Sequence, residues 1–107
     1  MTVKEWATSS SFTVLCEATD RPVLGGYCGD LLSWAMSRAP ADAAWMTVMG
    51  NVNAVAVAVL TEVACIVLCE GAVLDETAAQ KAREQDVWVL ATDKTAYEVA
   101  AALAAQL

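Results

Sequence analysis

The amino-acid sequence predicts a three-layer α/β domain, a mostly parallel sheet with helices on both faces. Three observations predict it. From residue 23 onward, short apolar runs alternate with segments of helical spacing in the order β-α-β-α-β-α-β-α, the pattern of a parallel sheet built from crossover units. Ala64-Cys65-Ile66-Val67-Leu68-Cys69 is an unbroken apolar run, as expected of a central strand covered on both faces. The chain has 107 residues, which gives room for one domain, residues 1–107, around one hydrophobic core.

Each element follows from local pattern. Thr2-Val3-Lys4-Glu5 has the hydroxyl and carboxylate of a capping box and opens a short helix carrying Val3, Trp6 and Ala7. The hydroxyl-rich residues 8–11 end it. Residues 12–16 read as a strand and 17–22 as a polar connector. Residues 23–28 form the next apolar segment, with Gly25 and Gly26 inside it. Asp30 is placed as the N-cap of a helix in which Leu31, Trp34 and Ala35 recur at helical spacing, closed by Ala39-Pro40-Ala41-Asp42. Residues 45–49 are a strand, and 50–53 a turn in which Asn51 or Asn53 caps the next element. Residues 54–59 alternate like a strand. Two parallel strands on either side need a crossover, however, and 52–60 is the one segment available, so it is assigned as a helix. The central strand at 64–69 stops at Glu70-Gly71. Residues 75–85 form a polar amphipathic helix with Ala78, Ala79 and Ala82 inward. Residues 87–91 are the last strand, and Thr92 or Asp93 caps an Ala-rich helix through Leu103.

Composition excludes several function classes. The net charge is -7 and only six Lys and Arg are spread along the chain without a cluster, so a nucleic-acid polymer or an anionic membrane surface is not an expected partner. The first residues, Met-Thr-Val-Lys-Glu-Trp, lack the apolar core of a signal peptide. The most apolar window, residues 52–69, contains Asn53, Thr61 and Glu62, unlike a span of roughly 20 apolar residues. A cytoplasmic protein is expected. With 58% hydrophobic residues in so short a chain, a second copy is expected to cover apolar surface, making a homodimer. The helix at 52–60 is the predicted contact. Val52, Val55, Ala56 and Val59 line one side of it and Ala54, Val57, Ala58 and Thr61 the other, and its own sheet can hide only one.

The sequence has four cysteines, no C-x-x-C pair and no histidine. In a strand Cys65 and Cys69 stand roughly 13 Å apart, too far to share a metal. Reduced, buried thiols behaving as small hydrophobes are expected, with no metal and no cofactor. Without histidine, a Ser or Cys nucleophile needs a Lys, Asp or Glu partner. The enzymatic alternative rests on Cys28, near a helix N-terminus that would lower its pKa, or on Asp30 paired with Glu70 across adjacent strand ends. A buried thiol and two caps explain the same residues, and the chain is read as non-catalytic.

In such sheets ligands bind at the carboxyl ends of the strands. Those ends carry Gly29 and Asp30, Asn51 and Asn53, Glu70 and Gly71, and Thr92 and Asp93, which are the candidate ligand-binding residues. Asn51 and Asn53 offer amide contacts, and helix N-termini offer backbone donors. Gly25-Gly26-Tyr27-Cys28-Gly29 matches neither phosphate-loop pattern, and no lysine follows it.

Four stretches give the chain a family likeness: Tyr27-Cys28-Gly29-Asp30-Leu31-Leu32-Ser33-Trp34, Trp45-Met46-Thr47-Val48, Asn51-Val52-Asn53-Ala54-Val55-Ala56-Val57-Ala58 and Ala64-Cys65-Ile66-Val67-Leu68-Cys69-Glu70-Gly71. Through them it resembles the DRTGG domain family, in the short stand-alone form found in anaerobic bacteria, often beside iron hydrogenase genes. Cys69-Glu70-Gly71 stands where many members have Thr-Gly-Gly. The resemblance implies a fold like the N-terminal domain of HPr kinase/phosphorylase, dimerisation and a regulatory role. Other members sit between CBS domains in pyrophosphatases, or beside phosphotransacetylase, where adenine nucleotides regulate the whole protein. It thus implies a homodimeric regulatory module that binds a small molecule such as an adenine nucleotide, or a partner redox enzyme. A ligand-free interaction module is the alternative. Kinase activity, by which some stand-alone members are named, does not carry over to a chain without a phosphate loop.

Overall fold

The computed structural model describes residues 1–107. Five helices and five strands follow in the order α1 (Val3–Ser9), β1 (Thr13–Cys16), β2 (Gly25–Cys28), α2 (Leu32–Arg38), β3 (Ala43–Thr47), α3 (Val52–Thr61), β4 (Cys65–Leu68), α4 (Glu76–Glu84), β5 (Val89–Ala91) and α5 (Ala96–Gln106). The strands form one sheet in the order β1-β5-β4-β3-β2. β2 to β5 run parallel, and β1 closes the far edge antiparallel to β5. The mostly parallel α/β sheet predicted from the alternation is therefore the observed one, and residues 52–61 are the crossover helix that parallel pairing of β3 and β4 requires.

The period-2 pleat sorts strand residues between two cores. Ala44 and Met46, Cys65 and Val67, and Leu90 face α1 and α5, where Val3, Trp6, Val99 and Leu103 complete the packing. Trp45, Ile66, Leu68 and Val89 face α2, α3 and α4, where Ala35, Val55, Ala58, Ala78 and Ala82 meet them. The crossover helices contribute small residues on that side, so their backbones lie close to the sheet. All three, α2, α3 and α4, cover the same face. Only α5 leaves the sheet toward the other.

The capping box of α1 forms as expected, with Glu5 N donating to Thr2 Oγ1 at 3.2 Å and Thr2 N to Glu5 Oε1 at 2.8 Å. Asn51 caps α3, accepting from Ala54 N at 2.9 Å. Two other cap assignments are corrected. Asp30 does not cap α2, whose N-cap is Leu31 with no side-chain bond. Its carboxylate is drawn across the sheet to β3 instead. α5 is capped by Thr95 in a box with Glu98, not by Thr92 or Asp93, because residues 92–94 are still held to the turn after β4. α5 also continues past Leu103 to Gln106.

Of the two sides of α3, the one carrying Ala54, Val57 and Ala58 is the covered one, and Val55 joins it. Val57 is only 5% exposed; with Ala54, Val55 and Ala58 it is buried where α3 packs between α2 and α4. The solvent side of α3 carries Val52, Asn53, Ala56 and Leu60.

Candidate functional site

The carboxyl ends of the parallel strands divide into two regions with different jobs. At β2 and β3 the loop residues satisfy buried polar atoms. The Trp45 indole, fully buried, donates from Nε1 to the Gly29 carbonyl at 2.9 Å. Thr47, the one buried polar side chain, donates from Oγ1 to Asp30 Oδ1 at 2.7 Å, and the same oxygen accepts from Val48 N at 2.9 Å. Gly29 and Asp30 thus tie the end of β2 to β3.

Cys28 at this edge is exposed, unlike Cys16, Cys65 and Cys69, which corrects the expectation of four buried thiols. β2 is an edge strand, and Cys28 borders a shallow hollow beside Leu103 and Leu107 at the end of α5. Partial burial, with the Asp30 carboxylate adding to it, pushes the Cys28 thiol above its ordinary value, the opposite of an activated nucleophile. Burial pushes Cys65 up to about 12 and Cys69 up to about 11. Asp30 and Glu70 share no hydrogen bond: Asp30 is held by Thr47 and Val48, and the Glu70 side chain is exposed. Three or more His, Cys, Asp or Glu side chains nowhere converge as metal ligands.

At β4 and β5 the chain builds a cleft. The loop after β4 turns toward α4 on one face of the sheet, and the loop after β5 turns toward α5 on the other. Adjacent parallel strands whose connections leave to opposite faces open a crevice between them, the topological switch point of open α/β sheets. Glu70 and Gly71 both take left-handed backbone, at φ 59° and 71°. That tight turn is pinned to its neighbour by Glu70 N donating to Lys94 O at 2.9 Å and Gly71 N to Thr92 O at 3.1 Å. Beyond the pinned turn, residues 71–74 and 91–93 bound a cavity of about 420 Å³. Its walls are largely apolar: Leu15 from β1, Val73 and Leu74 from the loop, Ala79 from α4 and Ala91 from β5. Thr13, Thr92 and Asp93 bring the polar side chains.

Of the eight residues singled out from the sequence, the cleft gathers Gly71, Thr92 and Asp93. Gly29, Asp30, Asn51, Asn53 and Glu70 lie outside its lining. Thr13 and Leu15 are additions that sequence reasoning missed. They reach the site because β1 pairs with β5, far along the chain, Thr13 opposite Ala91, and nothing local to residues 13–15 announces that pairing.

The far wall of the cleft is fixed by Gly50. A Cβ at Gly50 would collide with the Val73 carbonyl oxygen, and Asp75 N donates to Gly50 O at 2.8 Å. The turn that starts α3 is thereby interlocked with the loop that lines the cleft.

No protein-family model matches the chain, and no curated protein matches it. Among solved structures, the chain is similar to the regulatory region of Clostridium perfringens pyrophosphatase, which comprises CBS and DRTGG domains and was solved with its activator, diadenosine tetraphosphate. The TM-score is 0.72 at 9% sequence identity, and the match covers 94% of this chain and 44% of that one. The fold is DRTGG-like. At this identity the likeness establishes architecture, and this chain spans less than half the length of that regulatory region. No helix is long and apolar enough to cross a membrane.

Proposed function

We propose that residues 1–107 act as a non-catalytic, cytoplasmic regulatory module that senses a small ligand in the cleft between the loop after β4, α4, β5 and β1. The observation that carries this reading is the cavity of about 420 Å³ at the switch point, within the roughly 300–1,000 Å³ range of small-molecule sites. Gly71, Thr92 and Asp93 are the proposed contacts. The similar pyrophosphatase region was solved with an adenine-nucleotide activator, which makes adenine compounds the first class to test. The module acts as a homodimer that passes ligand occupancy to a partner, a redox enzyme being the candidate from the sequence resemblance. A route for that signal exists in the interlock of Gly50 with Val73, since any shift of the lining loop bears on the start of α3.

Thermal denaturation with adenine compounds tests the reading. A ligand at 100 times its dissociation constant should stabilise the fold by about 2.7 kcal/mol. Ala79→Leu, which places a larger side chain in the cleft, should abolish the shift without loss of folding. A ligand-induced shift that survives Ala79→Leu would place binding elsewhere.

A further inference from the structure

We infer that the cleft receives the nucleoside end of its ligand, base and ribose, and leaves any phosphate in solvent. The inference rests on the proposed ligand-sensing role and concerns which chemistry the same site accepts. Asp93 is the sole ionisable residue lining the cleft, and its charge is negative. Neither nearby cation is part of the lining. Lys94, next in the chain, lines a hollow on the opposite face beside Trp6 and Glu98. Arg83, one turn along α4 from Ala79, stands beside the Cys16 thiol. The whole chain adds to the effect with its net charge of -7. A phosphate chain in this crevice would meet a carboxylate and no compensating cation, in a field of like sign.

The remaining chemistry suits an uncharged, flat, hydroxyl-bearing group. Leu15, Val73 and Leu74 supply apolar area for a base. The Asp93 carboxylate accepts hydrogen bonds from paired ribose hydroxyls, as acidic residues at the ends of parallel strands do in dinucleotide-binding folds. The Thr13 and Thr92 hydroxyls both donate and accept. The volume, about 420 Å³, lies near the small end of the range for drug-sized sites.

Isothermal titration of the intact chain with adenosine and with ATP, at low and at high salt, tests this. Adenosine should bind at least as tightly as ATP, with an affinity insensitive to salt. Asp93→Asn should weaken adenosine roughly tenfold, the effect of removing a charged acceptor, while narrowing the gap to ATP. Asp93 is exposed and makes no side-chain hydrogen bond of its own, so the variant should fold. ATP binding tenfold more tightly than adenosine, with affinity that falls as salt rises, would overturn the inference and leave the ligand-sensing role standing. If neither compound binds, or if both bind without moving the amide resonances of Gly71, Thr92 and Asp93, the inference falls together with the adenine-sensing role of the cleft.

Discussion

Asp30 shows how far a single residue can be read from sequence. An acidic residue just before a helical pattern is a good N-cap, and its proximity to a strand end also made it a binding candidate. Its actual partner, Thr47, lies on the neighbouring strand, and no local pattern distinguishes a carboxylate that caps from one that reaches across. The structural role predicts a cost. Asp30→Ala removes an acceptor from the fully buried Thr47 hydroxyl and should destabilise the fold by ~1–3 kcal/mol in urea titrations. Thr47→Val, which removes the other partner as well, should recover part of that loss in the double variant. The thiols give a second residue-scale prediction. Cys65 is fully buried and its pKa is raised from 9.0 to about 12. Between those values the unfolded chain releases this proton while the folded chain keeps it. Stability should therefore fall as pH rises from 9 toward 12, with this thiol contributing a slope of up to ~1.4 kcal/mol per pH unit. Cys65→Ala should flatten the curve over that window relative to the wild type. An unchanged slope would mean that the thiol ionises as readily in the fold as outside it.

At the scale of elements, what was legible depended on whether the deciding interaction was local. The α4 pattern, the α1 capping box and the β4 apolar run each carry their signal within a few residues, and the structure has them there. The six residues 54–59 read both ways by propensity and were decided by topology, since a parallel β3–β4 pair needs a crossover. Which side of α3 is covered is set by α2 and α4 flanking it, and a single helix wheel cannot show that a helix lies between two others. Val57→Glu should place a carboxylate in the core and cost more than ~4 kcal/mol, a loss that single substitutions reach only through such mechanisms. Leu60→Glu, on the open side at 69% exposure, should change stability by no more than about 0.5 kcal/mol. The cleft wall offers another contrast. Gly50→Ala forces backbone against backbone at Val73 and should cost roughly 1–3 kcal/mol or more. Gly25→Ala meets nothing within 4 Å and should be neutral or stabilising by ~0.4–1 kcal/mol, through reduced freedom of the unfolded chain. Comparable midpoints for the two glycine variants would show that the 71–74 loop gives way freely and transmits nothing to α3.

For the whole molecule, the proposal of a homodimer turns on where apolar surface is left open. The outer face of α2 and α3 presents Leu31, Trp34 and Leu60, and at the same edge of the sheet Leu24 leads into the unpaired side of β2. Arg38 lies over the Trp34 ring at 3.9 Å, covering one side of the indole with a cation and leaving the rest to solvent. Against association stands the net charge of -7 on each copy, a repulsion that salt screens over a Debye length of about 8 Å at physiological ionic strength. The balance predicts association that strengthens as salt is raised, the reverse of a contact built on opposite charges. The tryptophans provide the readout. Trp6, Trp45 and Trp88 are at most 1% exposed, while Trp34 is 55% exposed, so only Trp34 can move from water into an interface. Intrinsic fluorescence should shift to the blue with rising protein concentration. The shift should follow the increase in sedimentation coefficient and vanish in Trp34→Ala, with the other three indoles left in place. A wild-type chain that sediments as a monomer at hundreds of micromolar in high salt would end the dimer proposal, and a dimer forming without any change at Trp34 would move the interface away from α2.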